Sequence, residues 1–305
     1  MEGHLKYIVI CIALSNCIFI PAMCQTTLSP INKINELNCA QNQDSQASST
    51  DAATGKGIQL YQVNASLDVI PPCNNGVTPQ EPIAEFPMQV PIPQLVKIIS
   101  DAGQCSGILI SQDAVLTAGH CVFDAAKKQY YKHMTISPGY QRGKSDYGAP
   151  HAALKILTFS GYTSSSIAAH DVAVVRFSNQ LDAKFNYFGL EAFNVNYCAQ
   201  QPTPLKEYFE PHYSPNIENN SVQSNAEGQV GFCVQGMITT GLPLLPGSSG
   251  SGVLDEYSRA IFAVHSQYDS KMSYNAILTK AKICVIKAFL EETTDTLTCG
   301  ATYGN

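Results

Sequence analysis

From residue 94 onward the chain is built of short apolar runs separated by Gly, Pro, Ser and Asn. The runs are Leu95–Ile99, Gly107–Ile110, Ala114–Thr117, Met134–Ser137, Ala153–Thr158, Val172–Phe177, Val230–Val234, Val253–Leu254 and Ile261–His265. Most are rich in Val and Ile, which pack well on a pleated, half-buried surface, and the turn residues end them. The pattern predicts an all-β domain. The period changes once, near the C-terminus: Ile283, Ile286, Phe289 and Leu290 recur at helical spacing, so a helix is expected over residues 279–292. Upstream, residues 38–57 are mostly Asn, Gln, Ser, Thr and Ala. Such a segment has too little apolar surface to offset its ordering entropy. Residues 25–85 therefore read as a low-complexity N-terminal extension, a propeptide, and residues 86–305 as the folded domain. Prolines at 71, 72 and from 79 to 93 mark the passage, with the stretch from Pro87 to Pro93 extended along the surface.

Bulk properties narrow the choice. The chain has 305 residues, 45% of them hydrophobic and 14% charged, as in an ordinary globular protein. A net charge of -6, with no Lys/Arg cluster, argues against a nucleic-acid partner. The N-terminus reads as a secretory signal over residues 1–24: Lys6 gives a positive start, Tyr7 to Ile20 is apolar apart from Ser15 and Asn16, and cleavage is expected after Cys24. That run is too short to span a bilayer comfortably, and no other segment is long enough, so no stable membrane insertion is expected. Three of the eleven cysteines fall in the signal, and the remaining eight are an even number, as disulfides in a secreted chain require. No CxxC or HExxH pattern suggests a metal site.

The candidate chemistry lies in three segments. Thr117-Ala-Gly-His-Cys121 directly follows the run Ala114–Leu116, so His120 sits at the end of a buried strand, placed to act as a base near neutral pH. Cys105 is near enough in sequence to bridge to Cys121 across a hairpin. Asp171 precedes the alternating run Val172–Phe177 and could lie half-buried against an imidazole. Ser249 lies in the centre of Pro246-Gly-Ser-Ser-Gly-Ser-Gly252, where glycines permit a tight turn and leave amides free to face a developing oxyanion. The chain order His, Asp, Ser is that of the chymotrypsin-type triad.

With these segments goes a wider likeness: Cys105-Ser-Gly107, Thr135 to Gly139, Tyr187-Phe-Gly189, Gly250-Ser251, Ala263-Val-His265 and Ser273-Tyr-Asn275. Over roughly residues 86–295 the chain resembles chymotrypsin-like serine proteases, and within them the bacterial-type glutamyl-endopeptidase branch. The resemblance implies a double β-barrel with a C-terminal α-helix and a Cys105–Cys121 disulfide. It implies His120, Asp171 and Ser249 as catalytic residues, with the amides of Gly247 and Ser249 as oxyanion hole. It places His265 in the primary specificity pocket, where a histidine binds a substrate carboxylate, with Thr240 as a second contact. The substrates would be proteins or peptides, no metal or other cofactor is needed, and a monomer is expected. Ser248 stands where trypsin-like zymogens carry an aspartate, which removes the amine–aspartate activation switch. Leu244 or Leu245 could line the pocket instead of Thr240 and make it apolar. The rival readings are a non-catalytic homologue that binds proteins, and an esterase using the same triad. His133, His151 and His212 lie in polar stretches and are expected in solvent, as are Asp124, Asp146 and Asp182 in surface loops.

Overall fold

A computed structural model describes residues 47–50, 57–63, 86–88, 92–145, 147–182, 186–194, 206–214, 222–241, 244 and 246–292. The signal segment, Cys39, Cys73, Asp146, Cys198, Leu242, Leu245 and Cys299 lie outside these residues.

The first half of the domain is a closed six-stranded barrel. Its strands are β3 (Leu95–Ser100), β4 (Gly103–Ser111), β5 (Ala114–Thr117), β6 (Thr135–Pro138), β7 (His151–Phe159) and β8 (Ala173–Phe177). The order around the barrel is β7-β8-β5-β4-β3-β6, and β6 pairs with β7 to close it. Val96, Ile98, Ile108, Leu116, Ile136, Ile156 and Val174, from the apolar runs of the sequence, are all buried and fill one core. Four predicted runs match their strands to within a residue or two; the Gly107–Ile110 run continues back to Gly103, and β7 starts two residues early.

The N-terminal extension also contributes to this sheet. Strand β1 (Ala47–Thr50) pairs with β2 (Gly57–Val63), and β2 runs parallel to β7, with Lys155 opposite Gln59 and Phe159 opposite Val63. Ile58 and Leu60 are buried, and Tyr61 meets Phe289 edge-on at 5.3 Å between ring centroids. Composition alone predicts no order near residue 50; here backbone pairing to an existing sheet edge supplies what the side chains lack.

The second sheet holds β9 (Glu207–Tyr213), β10 (Gln223–Gln229), β11 (Met237–Thr240), β12 (Gly252–Asp255), β13 (Ile261–Tyr268) and β14 (Ser273–Ile277), in the order β11-β14-β13-β12-β9-β10. Two-residue strands, Cys233–Val234 beside β11 and Phe86–Pro87 beside β10, lie at its two ends. Its core joins Phe193, Tyr208, Ile238, Leu244, Val253 and Phe262. Strands β9 and β10 escape the sequence pattern, because Glu210, His212, Gln223, Ser224 and Asn225 are buried polar residues in strands where apolar ones would be expected. The run Val230–Val234 is strand only at its last two residues.

The short helix α1 (Ser160–Ser165) follows β7, and α2 (Lys280–Glu291) closes the domain. The Thr279 side chain accepts a hydrogen bond from the Lys282 amide at 3.2 Å, an N-cap that satisfies one of the orphan donors of the first turn. The helix ends at Glu292, whose φ of 52° is left-handed. Its Ile283, Val285 and Ile286 join the first barrel's core, so α2 is part of that core.

Candidate active site

The strand β5 ends at Thr117, and the chain turns at once into a single 3-10 turn, Gly119–Cys121, which carries His120. A second 3-10 turn, Ala168–His170, delivers Asp171 just before β8. Because β5 and β8 are paired neighbours, with Thr117 opposite Ala173, the two turns emerge side by side. His120 Nδ1 lies 2.7 Å from Asp171 Oδ2, and the His120 amide donates to Asp171 Oδ1, also at 2.7 Å. Asp171 is buried, at 3% exposure. The Ser266 hydroxyl from β13 donates to the same Oδ2 at 2.6 Å. Three donors on one carboxylate fix its orientation. Burial alone would lower the pKa of His120, but the charge of Asp171 and its hydrogen bond outweigh it and hold the imidazole above its ordinary value. Ser266 was not singled out in the sequence. Its signal was its place one residue after His265.

The Ser249 turn is fastened to the first barrel. The Ser106 amide donates to the Ser249 carbonyl at 2.8 Å, and the Ser106 hydroxyl donates to the Gly247 carbonyl at 2.7 Å. Cys105, next to Ser106, is disulfide-bonded to Cys121, next to His120. One bridge thus holds together β4, to which the Ser249 turn is fastened, and the turn that carries His120. Within the turn, Gly250 donates to the His265 carbonyl at 2.9 Å and Ser251 to the Ser248 carbonyl at 3.0 Å. Gly247 and Gly250 have φ of 105° and 86°, conformations that side-chain-bearing residues rarely adopt. At Gly250 a side chain is also excluded by space: a Cβ would lie 2.1 Å from Thr117 Oγ1 and 2.4 Å from the Ser106 carbonyl. Among the described residues no acceptor engages the amides of Gly247 or Ser249.

Behind this turn, His265 is fully buried on β13, opposite Asn275 of β14. Asn275 donates to the Thr240 hydroxyl at 3.2 Å, so the sheet brings Thr240 to the His265 neighbourhood. Leu244 is instead in the core of the second sheet, its amide donating to the Ser273 hydroxyl at 3.0 Å. Cys233 and Cys284 are disulfide-bonded as well. The sulfurs of Cys105 and Cys121 cluster with His120 within 4.8 Å, but the disulfide and Asp171 already engage these donors, so the cluster does not fit a metal ion.

Two of the histidines expected in solvent are not there. His212 is fully buried, with Nδ1 2.9 Å from the Glu210 carbonyl, and His151 is buried with Nδ1 2.9 Å from the Ser178 carbonyl. Each lies in a strand whose backbone carries it inward whatever its polarity. His133 is exposed, as is Asp182, while Asp124 is half-buried and accepts from the amides of Ala126 and Lys127. His170, beside Asp171, is buried and takes no part in the His120 pair. Burial, and then the charge of Lys282, push it down to about 4. Among the described residues no helix is long and apolar enough to cross a membrane.

Comparison with known proteins agrees with this geometry. A glutamyl endopeptidase of Bacillus licheniformis is 23% identical over 168 residues, which is 55% of this chain and 50% of that protein. The chain therefore matches about half the length of that relative. A Glu endopeptidase structure in complex with MPD superposes with a TM-score of 0.61 at 19% identity, covering 71% of this chain and 100% of the other. The protease Anisep from Arthrobacter nicotinovorans gives 0.54 at 17% identity, covering 66% and 96%. A scabies mite inactivated protease paralogue gives 0.51 at 16% identity, also covering 66% and 96%. At such identities the structures speak for the fold alone, and that fold is the chymotrypsin-like one expected, with its C-terminal helix. A model of the trypsin-like peptidase domain matches residues 105–261, from the disulfide at β4 through the Ser249 turn to the start of β13. The chain belongs to the trypsin-like peptidase domain family.

Proposed function

We propose that the protein is a secreted serine endopeptidase that cleaves peptide bonds through an acyl-enzyme. The observation that carries this reading is the His120–Asp171 contact at 2.7 Å, set beside a Ser249 turn fastened to the same disulfide-linked elements. His120 takes the proton of Ser249 Oγ as that oxygen attacks the substrate carbonyl, then returns it to the leaving amine. Asp171, held by Ser266, keeps Nδ1–H directed inward and stabilises the imidazolium. The amides of Gly247 and Ser249 receive the oxyanion. His265 and Thr240 recognise the side chain before the scissile bond, with Glu or Asp preferred. A carboxylate fits because a charge-assisted hydrogen bond in a dry site contributes about 1.5–3 kcal/mol. Residues 1–24 direct export, and the extension is cut within residues 70–90. Strand β2 lies upstream of such a cut and would remain paired to β7 afterwards. Ser248 stands in place of the aspartate of the amine–aspartate switch, so the extension acts by covering the cleft.

The test is Ser249→Ala in the full chain. Peptidase activity is expected to fall at least about a thousandfold, and labelling by a fluorophosphonate probe to vanish, with the circular dichroism unchanged. Absence of labelling in the wild type would favour a non-catalytic binding role, and ester turnover without peptide turnover would favour an esterase.

A further inference from the structure

Ser248 leaves the Ser249 turn without the aspartate that trypsin-like zymogens use in their activation switch. The turn is rich in glycine, and Gly247 and Gly250 take left-handed φ values, so its shape has to be held by contacts around it. Two backbone bonds tie it to β13: the Gly250 amide donates to the His265 carbonyl, and the His265 amide donates to the Ser251 carbonyl, both at 2.9 Å. A third tie is made by side chains. Ser251 donates its hydroxyl to Glu210 Oε1 at 2.8 Å, and both residues are fully buried. This bond joins β9 to the turn across 41 residues of sequence. Backbone pairing between β9 and β12 covers Tyr208 with Asp255 and Phe209 with Leu254. Glu210 is the next residue of β9 toward the turn, so its side chain takes up the fastening where that pairing ends.

A carboxyl group with no exposure is costly in a strand that an apolar residue would fill. Among the described residues it takes no part in the His120–Asp171 contact, and the acyl-enzyme chemistry does not call on it. Its hydrogen bond to Ser251 lies where water does not compete, and an unanswered Ser251 hydroxyl would be a buried orphan. We propose that Glu210 is a positioning residue of the reaction, acting through Ser251. It holds the turn so that Ser249 Oγ faces His120 and the amides of Gly247 and Ser249 converge on one oxyanion. This rests on the endopeptidase reading above. Loosening the turn then harms the transition state, which needs those amides and that alignment, more than it harms binding of the substrate.

The test is a cycle of Glu210→Met, Ser251→Ala and the double variant in the full chain, with Glu210→Gln beside them. The readouts are kcat and KM on a peptide that the wild type cuts, the rate of fluorophosphonate labelling, and amide hydrogen exchange of residues 246–252. Each single variant is expected to lower kcat and the labelling rate about tenfold or more, with KM within about twofold. The double variant is expected to lose no more than the worse single one, because both remove the same bond. Glu210→Gln keeps an acceptor oxygen for Ser251 and is expected to recover most of the loss. Exchange should rise at 246–252 and not in β14 or α2. Losses that multiply in the double variant, a Gln variant as impaired as the Met one, or a rise in KM at constant kcat overturns the proposal. If Glu210→Met does not fold, Ser251→Ala and Glu210→Gln decide, and an unimpaired Ser251→Ala overturns it. If the wild type neither cuts peptides nor takes the label, the endopeptidase reading fails by itself and hydrogen exchange decides the role of Glu210. Exchange at 246–252 unchanged in Ser251→Ala, or a rise shared by the whole second sheet, then overturns the inference.

Discussion

His120 and His170 show how place, not residue type, decides the behaviour of an imidazole. Each lies in a 3-10 turn, yet half-buried His120 is held above its ordinary pKa by Asp171 while buried His170 falls to about 4. The sign for His170 follows from linkage. Its unfolded value is 6.5, so between 6.5 and about 4 the unfolded chain binds more protons than the folded one, and stability drops as pH falls through that window. Above the window it is neutral in both states and adds no slope. For His120 the sign is opposite: its contribution is present below 6.5 and is lost as pH rises through its raised value. Replacing His170 by Leu is expected to remove about 2 kcal/mol of acid sensitivity between pH 6.5 and 4, seen as urea midpoints that fall less on acidification than in the wild type. A variant as acid-sensitive as the wild type would show that His170 is not the group concerned.

At the scale of elements, helix α2 and strand β2 both add residues to the first barrel's core. Lys282 is 1% exposed, and its ammonium donates to the carbonyls of Ala169, in the turn that delivers Asp171, and of Ile277 at the end of β14. Lys282→Met keeps the apolar stem but leaves both carbonyls without this donor. The expected cost is about 1–3 kcal/mol in stability, with a several-fold lower kcat and little change in KM, since Asp171 loses its support and the pocket does not. For β2, burial of Ile58 and Leu60 is worth about 1.5–3 kcal/mol each. A chain beginning at residue 70 is therefore expected to lose about 3 kcal/mol or more, measured by urea unfolding. Mass spectrometry of the processed protein should still find the β2 fragment. Its absence, with stability unchanged, would mean that β2 is dispensable.

On the scale of the whole molecule, the site lies where the two sheets meet, and Phe209, Leu254, Val264 and Ala276 of the second sheet share the first barrel's core. Ser106 of β4 spans the junction: its hydroxyl donates to Gly247 and accepts from the Tyr213 amide at 2.9 Å. Gly250 sits at the same junction with Thr117, Ser106 and Ala118 against its Cα. Gly250→Ala would set a methyl against backbone on a left-handed residue, so destabilisation above about 4 kcal/mol, or failure to fold, is expected in thermal melts. A stable, active Gly250→Ala would mean that the contact between the sheets is looser than described.

What the sequence determines by itself is whatever is local or periodic. The apolar runs of β3, β5 and β8, the spacing of Ile283, Ile286 and Phe289 in α2, and the turn glycines around Ser249 are all legible, because each is imposed by the backbone geometry of a few adjacent residues. His120, Asp171 and Ser249 are legible as motifs for the same reason. The tertiary structure alone decides which polar groups are inside. Glu210, His212, Ser224 and Asn225 break the apolar pattern and hide β9 and β10, and the partner of Glu210, Ser251, lies 41 residues further along the chain. The same holds for Ser266 on Asp171 and Lys282 on Ala169, contacts across 95 and 113 residues that no local pattern encodes.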